Sequence, residues 1–312
     1  MARVQCVEVE CKSALNRVQG MPFKWSVNPY SGCAHSCHYC YARAYYARAE
    51  HGNPDRDFET RIYVKRNMPA VLDRELGRRG WTGEQVALGT ATDCYQPIEG
   101  RYRLTRALLE VLLAHRNAVG LVTKAPLVLR DLDLWSALAH VTKVRVYLTI
   151  TTLDPAVWRQ VEPGTPNPRR RLDAVRRLNE AGVPAGVLLA PILPGITDSE
   201  ASIEAVAAGA AAHGAVSFGA SALRLAPGVR EHYLGFVAAA WPELLPRYER
   251  AYRGINAPEE YVRRVNERVD RLRARYGFAR DAMRDRALIP PAAASAESGG
   301  SARGPQLALP LG

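Results

Sequence analysis

Long apolar runs are missing from this sequence. The N-terminal MARVQCVEVE holds no apolar segment of signal-peptide type. The longest apolar stretch, AVAAGAAAHGAVSFGA, is rich in Ala and Gly and broken by His213, so it does not read as a bilayer span. Neither export nor a membrane position is indicated, and a cytoplasmic protein is expected. Lysine is scarce: only five of the 42 basic residues are lysines, and arginine carries the net charge of +11. A basic excess draws polyanions such as nucleic acid. GC-rich coding also enriches arginine and alanine, so charge alone leaves nucleic-acid binding and a merely basic surface equally open. Cysteine is scarce too. Six occur in 312 residues, three of them within eight positions, which is not a disulfide framework and fits a reducing compartment. No internal repeat of about 20–50 residues is present, which argues against a repeat architecture.

What is present is enough for a sizeable core, with 47% apolar and 23% charged residues. Apolar, β-branched segments at 24–29, 85–90, 119–124, 144–150, 185–191 and 216–221 predict strands. Amphipathic patterns at 102–116, 168–182 and 198–214 predict helices between them, the second closed by Gly182 and the third capped by Asp198 or Ser199. Strands alternating with helices imply a parallel sheet buried on both faces. Six units fall short of the eight that close a barrel, so an α/β fold of partial (β/α)6 TIM-like type is expected, with its chemistry at the carboxyl ends of the strands. The expected organisation is an N-terminal extension over 1–22, a core over 23–240, an Arg-laden C-terminal helical subdomain over 241–290, and a disordered tail over 291–312.

The segment YSGCAHSCHYCYA places Cys33, Cys37 and Cys40 at spacings of four and three. Thiolates are soft ligands for zinc or iron–sulfur clusters. Structural zinc needs four ligands, usually in two halves, and Cys6, Cys11 and Cys94 are too scattered to form a second half. Two readings follow from the residues: zinc completed by His35, His38 or a distant side chain, or a [4Fe-4S] cluster with three irons on cysteine and the fourth open.

CxxxCxxC with Tyr39 before the last cysteine resembles the motif of the radical S-adenosylmethionine (SAM) enzymes. SALNRV, NPYSGCAHSCHYCYAR, DFETRIYVK, GTATDCYQPIEGRYRLTR, TKAPLVLRDLDL, LTITTLDP and PILPGITD resemble, in order, segments of the members related to spore photoproduct lyase, also labelled DNA repair photolyases. The likeness runs from about Ser13 to about residue 228. It implies a [4Fe-4S] cluster on Cys33, Cys37 and Cys40, SAM chelated to the fourth iron, reductive cleavage to a 5′-deoxyadenosyl radical, and a reductant such as flavodoxin or ferredoxin. By the same likeness Tyr39, Thr92, Asp93, Lys124, Thr149 and Thr151 are cofactor-binding residues, with Lys124 approaching the SAM carboxylate and the loop from Pro191 to Asp198 passing near adenine. Each has a plainer reading: Lys124 as a solvated loop residue, the threonines as ordinary strand fillers, Asp93 and Asp198 as helix caps.

The resemblance also has a gap. Thr90 stands where spore photoproduct lyase carries the cysteine that returns hydrogen to its substrate, and a threonine O–H bond is too strong for that step. Cys94 is either a substitute or a small buried hydrophobe. The expected substrate is DNA, for repair or modification; protein, RNA or a small molecule is the alternative, and a zinc-bound nucleic-acid module the outlier. Tyr95, Arg101 and Arg103 lie in a loop suited to touch substrate, and Tyr41, Tyr45 and Tyr46 are candidates to receive an unstacked base. The chain ends QLALPLG, in which Gln306, Leu307, Leu309 and Leu311 resemble peptides that dock on the bacterial sliding clamp.

Overall fold

The computed structural model describes residues 4–278 apart from 20–22, 50–51 and 54. The tail from 291 and the clamp-like peptide lie outside the described residues. The strands are β1 (Gln5–Val9), β2 (Asn16–Arg17), β3 (Trp25–Val27), β4 (Tyr30–Ser31), β5 (Arg61–Lys65), β6 (Val86–Leu88), β7 (Val119–Thr123), β8 (Val144–Thr149), β9 (Ala185–Ile192) and β10 (Phe218–Ala222). The helices are α1 (Ala42–Arg48), α2 (Met68–Leu76), α3 (Glu99–Tyr102), α4 (Leu104–Ala114), α5 (Leu132–Val141), α6 (Pro155–Val161), α7 (Pro168–Glu180), α8 (Glu200–Ala212), α9 (Arg230–Ala240), α10 (Leu245–Ala251) and α11 (Glu259–Arg275).

Strands β3, β6, β7, β8, β9 and β10 lie side by side in chain order, each parallel to the next. The first and last are not paired, so the sheet is an open, partial (β/α)6 barrel, and β2 adds antiparallel to its β3 edge. All six predicted strands are these six. Val86, Ala87 and Leu88, then Val146, Tyr147 and Leu148, then Val187, Leu188 and Leu189 are buried in succession; neighbours in a strand point to opposite faces, so this is the two-sided burial that a near-continuous apolar run demands. Each fully buried Val or Leu contributes about 1.5–3 kcal/mol on leaving water.

The connection from β3 to β6 departs from a simple crossover. It carries the cysteine loop, α1, β5 and α2, and β5 joins β1 and β4 in a second three-stranded sheet. Sequence patterning missed this sheet because its strands are short and two of its members, β1 and β5, come from far apart in the chain. The helix predicted over 102–116 is α4, shortened at its start. Arg103 adopts φ 52, ending α3 and starting α4, and the buried Glu99 carboxylate accepts the Thr105 N–H across the bend at 3.1 Å. The predicted helices at 168–182 and 198–214 are α7 and α8, capped by Asn167 and Ser199.

The C-terminal helices close over one flank. Val265, Val269 and Leu272 of α11 join the main core, Phe278 stacks on Phe218 of β10 at 5.5 Å between centroids, and Arg273 donates to the Phe218 carbonyl. Tyr233 and Val237 of α9 and Tyr248 of α10 form a second core with Cys37 and Tyr39, supporting the cysteine loop from below. Among the described residues no helix is long and apolar enough to cross a membrane.

Between β1 and β2 the N-terminal segment is tied to α2 by one carboxylate. The buried Glu75 of α2 accepts from the Ser13 hydroxyl at 2.8 Å and from the Ala14 and Leu15 N–H groups at 3.1 and 2.8 Å. Glu75→Ala strands three donors and is expected to destabilise the fold by about 2–4 kcal/mol; a urea midpoint equal to wild type would show that the segment is not fastened this way.

Candidate active site

The cysteine loop starts immediately after β4, where Gly32 turns the chain at φ 85. A Cβ there would sit 2.8 Å from the Phe58 carbonyl oxygen, so no other residue fits without displacing the backbone. Beyond Gly32 the loop is bonded on three sides. Cys33 N–H donates to the Phe58 carbonyl at 2.9 Å. On the opposite side, His38 N–H donates to Val161 at 3.1 Å and Gly164 N–H to His35 at 3.1 Å; a Cβ on Gly164 would lie 2.3 Å from the Ala34 oxygen. From the loop after β6, the Thr92 hydroxyl and the Gln96 amide both donate to the Gly32 carbonyl, at 2.7 and 3.1 Å, while Gln96 accepts from Ala34 N–H at 2.9 Å.

Asp93 ties this loop to the end of β7. One carboxylate oxygen accepts from the Thr123 hydroxyl at 2.7 Å and Tyr95 N–H at 2.9 Å, and the other from Lys124 N–H at 2.8 Å. That second oxygen stands 3.2 Å from His35 Nδ1. Burial disfavours the Asp93 carboxylate, but the His35 imidazole and these N–H and O–H donors outweigh it and hold the group well below the usual carboxylate range.

A second buried carboxylate, Glu162, follows α6. The Tyr39 hydroxyl donates to one of its oxygens. The other accepts from Arg171 at 2.6 Å and from the Thr165 hydroxyl at 3.1 Å. Both Glu162 and Arg171 are essentially inaccessible. Burial raises the Glu162 carboxyl, yet Arg171, Lys124 and the Tyr39 hydrogen bond bring it down to about 2. The Tyr39 hydroxyl also meets the Thr151 hydroxyl at 2.9 Å, and Lys124 Nζ stands 5.5 Å from the Tyr39 ring centroid. Arg171 donates to the Thr149 carbonyl at 3.0 Å.

The fold thus gathers Cys33, Cys37, Cys40, Tyr39, Thr92, Asp93, Lys124, Thr149 and Thr151 at the carboxyl ends of β6, β7 and β8. Cys33 and Cys37 are buried, Cys40 is half-buried, and all three are free thiols. Burial, and after it the Glu162 and Cys40 charges, push the Cys37 thiol up to about 12 against the opposing pull of Lys124; burial likewise raises Cys33 and Cys40. Thiols in such a place become thiolates when a metal binds them. Among the described residues no three His, Cys, Asp or Glu side chains are grouped to hold a metal ion. A three-thiol donor set with an ammonium beside it fits a cluster that takes one cysteine per iron.

Other expected site residues lie elsewhere. Tyr95 is buried, accepting from Trp135 at 3.0 Å and donating to Asp131 at 3.0 Å, so it faces the core and not a substrate. Cys94 is also fully buried in the main core. Tyr46 packs against Phe58, whereas Tyr41 is 46% exposed and donates to the Thr90 carbonyl. Arg101 and Arg103 are exposed. Asp198 accepts from Gly195 N–H and the Tyr261 hydroxyl. Sequence reasoning missed Gln96, Glu162 and Arg171. For Arg171 a signal was present: in PRRRL it precedes Leu172 and shares the buried stripe of Leu172, Val175 and Leu178.

The radical SAM superfamily profile matches residues 27–205. An uncharacterized protein of Mycobacterium tuberculosis is 40% identical over 278 residues, spanning 88% of this chain and 82% of that protein. One from Methanocaldococcus jannaschii is 28% identical over 199 residues, spanning 64% and 72%. A spore photoproduct lyase variant with bound AdoMet and dinucleoside spore photoproduct superposes with a TM-score of 0.66 at 19% identity, over 86% of this chain and 78% of that one; this likeness is one of fold. With more than half its length matched and a radical SAM fold around its cysteine loop, the chain belongs to the radical SAM superfamily.

Proposed function

We propose that the protein is a radical SAM enzyme acting on DNA, in a repair or modification reaction, with Cys33, Cys37 and Cys40 as ligands of a [4Fe-4S] cluster. The observation that carries the reading is the three-thiol loop held to the strand ends: Tyr39 meets the Thr151 hydroxyl, the Gly32 carbonyl accepts from Thr92, and His35 faces Asp93, which also accepts the Lys124 N–H. When bound, the cluster supplies the electron that splits SAM into methionine and a 5′-deoxyadenosyl radical.

The chain's own residues divide into two tasks. Asp93 and Tyr39 brace the cysteine loop, since both Asp93 oxygens and the Tyr39 hydroxyl are engaged within the protein. Lys124, Thr92, Thr149 and Thr151 face SAM. Lys124 offers an ammonium to its carboxylate; Thr92, whose hydrogen goes to Gly32, offers only a lone pair. Burial around them keeps water from the radical.

DNA is supported by the net charge of +11 and by the dinucleoside bound to the spore photoproduct lyase variant of the same fold. A clamp-docking role for Gln306, Leu307, Leu309 and Leu311 is part of the same reading, as is a flavodoxin- or ferredoxin-type reductant and a cytoplasmic setting. The reaction is proposed to differ from the lyase's hydrogen return through a thiol. At the corresponding position the Thr90 hydroxyl accepts from Asn28 at 3.4 Å, and Cys94 is sealed in the core.

Anaerobic reconstitution followed by dithionite and SAM is expected to give 5′-deoxyadenosine in wild type, background levels in Cys37→Ala, and more product when duplex DNA is added. Product without Cys37 would overturn the ligand assignment, and DNA affinity insensitive to salt would remove DNA as the substrate. Gly164→Ala drives a methyl into the Ala34 carbonyl; it is expected to lower the iron retained after reconstitution while leaving far-UV circular dichroism unchanged. Full iron retention in that variant would show that the 161–164 segment does not fix the loop.

A further inference from the structure

Lys124 and Glu162 are opposite charges that both lie against the side chain of Tyr39. Lys124 Nζ is 5.5 Å from the Tyr39 ring centroid, and the hydroxyl of the same ring donates to Glu162. Yet among the described residues Lys124 forms no ion pair, while the Glu162 carboxylate is saturated: one oxygen by Tyr39, the other by Arg171 at 2.6 Å and Thr165 at 3.1 Å.

Arg171 is suited to hold that position permanently. Its Nε donates to the Pro166 carbonyl at 3.0 Å, one terminal nitrogen donates to Thr149 at 3.0 Å, and the other donates to Glu162, Thr165 and Pro166. A planar guanidinium carrying five donors satisfies several acceptors at once, whereas a lysine ammonium is a mobile point charge on a flexible stem. In a buried setting the carboxylate requires a cation. If the arginine did not supply it, the nearby ammonium would.

We propose that Arg171 is a positioning residue for SAM: by saturating the Glu162 carboxylate it keeps the Lys124 ammonium unpaired and free to receive the carboxylate of SAM. The inference rests on Lys124 as the partner of that carboxylate. Arg171 itself touches neither cofactor nor substrate; it acts by withholding a competing anion. Tyr39 belongs to the same arrangement, because its hydroxyl occupies the Glu162 oxygen that Arg171 does not.

The test is equilibrium dialysis of SAM, and separately of 5′-methylthioadenosine, against anaerobically reconstituted proteins matched for iron content. Methylthioadenosine shares the adenosine and sulfur but lacks the amino-acid carboxylate. Lys124→Met is expected to weaken SAM binding by about 10–100-fold, the range for losing a hydrogen bond to a charged group. Arg171→Met is expected to weaken SAM comparably although Lys124 is intact, because the ammonium now pairs with Glu162. Arg171→Met with Glu162→Gln removes both the arginine and the competing charge, and affinity is expected to return to within about 3-fold of wild type. Methylthioadenosine binding should be unchanged throughout.

The outcomes separate the two layers. Unchanged SAM affinity in Lys124→Met removes the lysine's assigned role and the inference with it. Weak binding in Lys124→Met with normal binding in Arg171→Met overturns the inference alone. Equal losses in Arg171→Met and the double variant, or a parallel loss of methylthioadenosine, make Arg171 a purely structural residue and also overturn it. If Arg171→Met yields no soluble protein, Arg171→Gln takes its place with the same expected loss, and unchanged affinity there overturns the inference.

Discussion

The Asp93 carboxylate is the group on which the site's geometry depends. A parallel sheet ends in a row of backbone groups that the ladder no longer satisfies, and in a buried setting each must find another partner. Asp93 accepts from Lys124 N–H and the Thr123 hydroxyl at the end of β7, from Tyr95 N–H in its own loop, and faces His35 in the cysteine loop. One side chain thereby joins three segments distant in sequence. The Lys124 backbone is held by the same carboxylate that faces the cysteine loop, so the reach of the Lys124 side chain is set by the loop it serves.

Around this anchor the buried charges are arranged in alternation. Two carboxylates, Asp93 and Glu162, are each held ionised despite burial, the first by His35 and hydrogen bonds, the second by Arg171, Lys124 and Tyr39. Three thiols stand among them. Removing one partner of a buried pair costs about 3–5 kcal/mol because the other charge is left uncompensated, so such a set tolerates change only in complementary pairs. Glu162 and Arg171 come from the end of α6 and the first turns of α7; the crossover after β8 therefore both braces the cysteine loop through Val161 and Gly164 and completes its electrostatics.

How much of this was legible in the sequence follows from which forces are local. The six parallel strands could be read because two-sided burial forces runs such as VGLVT and AGVLLA. The cysteine loop could be read because its three thiols are close in sequence. The β1–β5–β4 sheet could not, because its strands of two to five residues carry little periodicity and pair over a long separation. The bend at Arg103 was hidden because the buried Glu99 that fixes it looks like any exposed glutamate. Glu162 and Arg171 lay in an Arg-rich stretch whose neighbours Arg169 and Arg170 are exposed; only the phase of the helix distinguishes the third arginine. Tyr95 was misplaced for a related reason: its loop reads as polar, but Asp131 and Trp135 give its hydroxyl buried partners, so its ring turns inward.

The site has two halves with different kinds of support. The half assigned to radical initiation is largely buried, and Asp93, Glu162 and Tyr39 within it are each held by two or more bonds, so their positions are set by the fold. Beside it lies exposed surface: Tyr41 is 46% accessible, and Arg101 of α3 and Arg103 after it are exposed. Tyr41 follows Cys40 in the chain and its hydroxyl donates to the Thr90 carbonyl. Thr90 sits between the two: its carbonyl accepts from Tyr41 and its hydroxyl from Asn28, and none of the bonds that hold the cysteine loop uses its side chain. The thiol loop and the surface beside it therefore answer to different constraints: the first to bonds within the fold, the second to solvent.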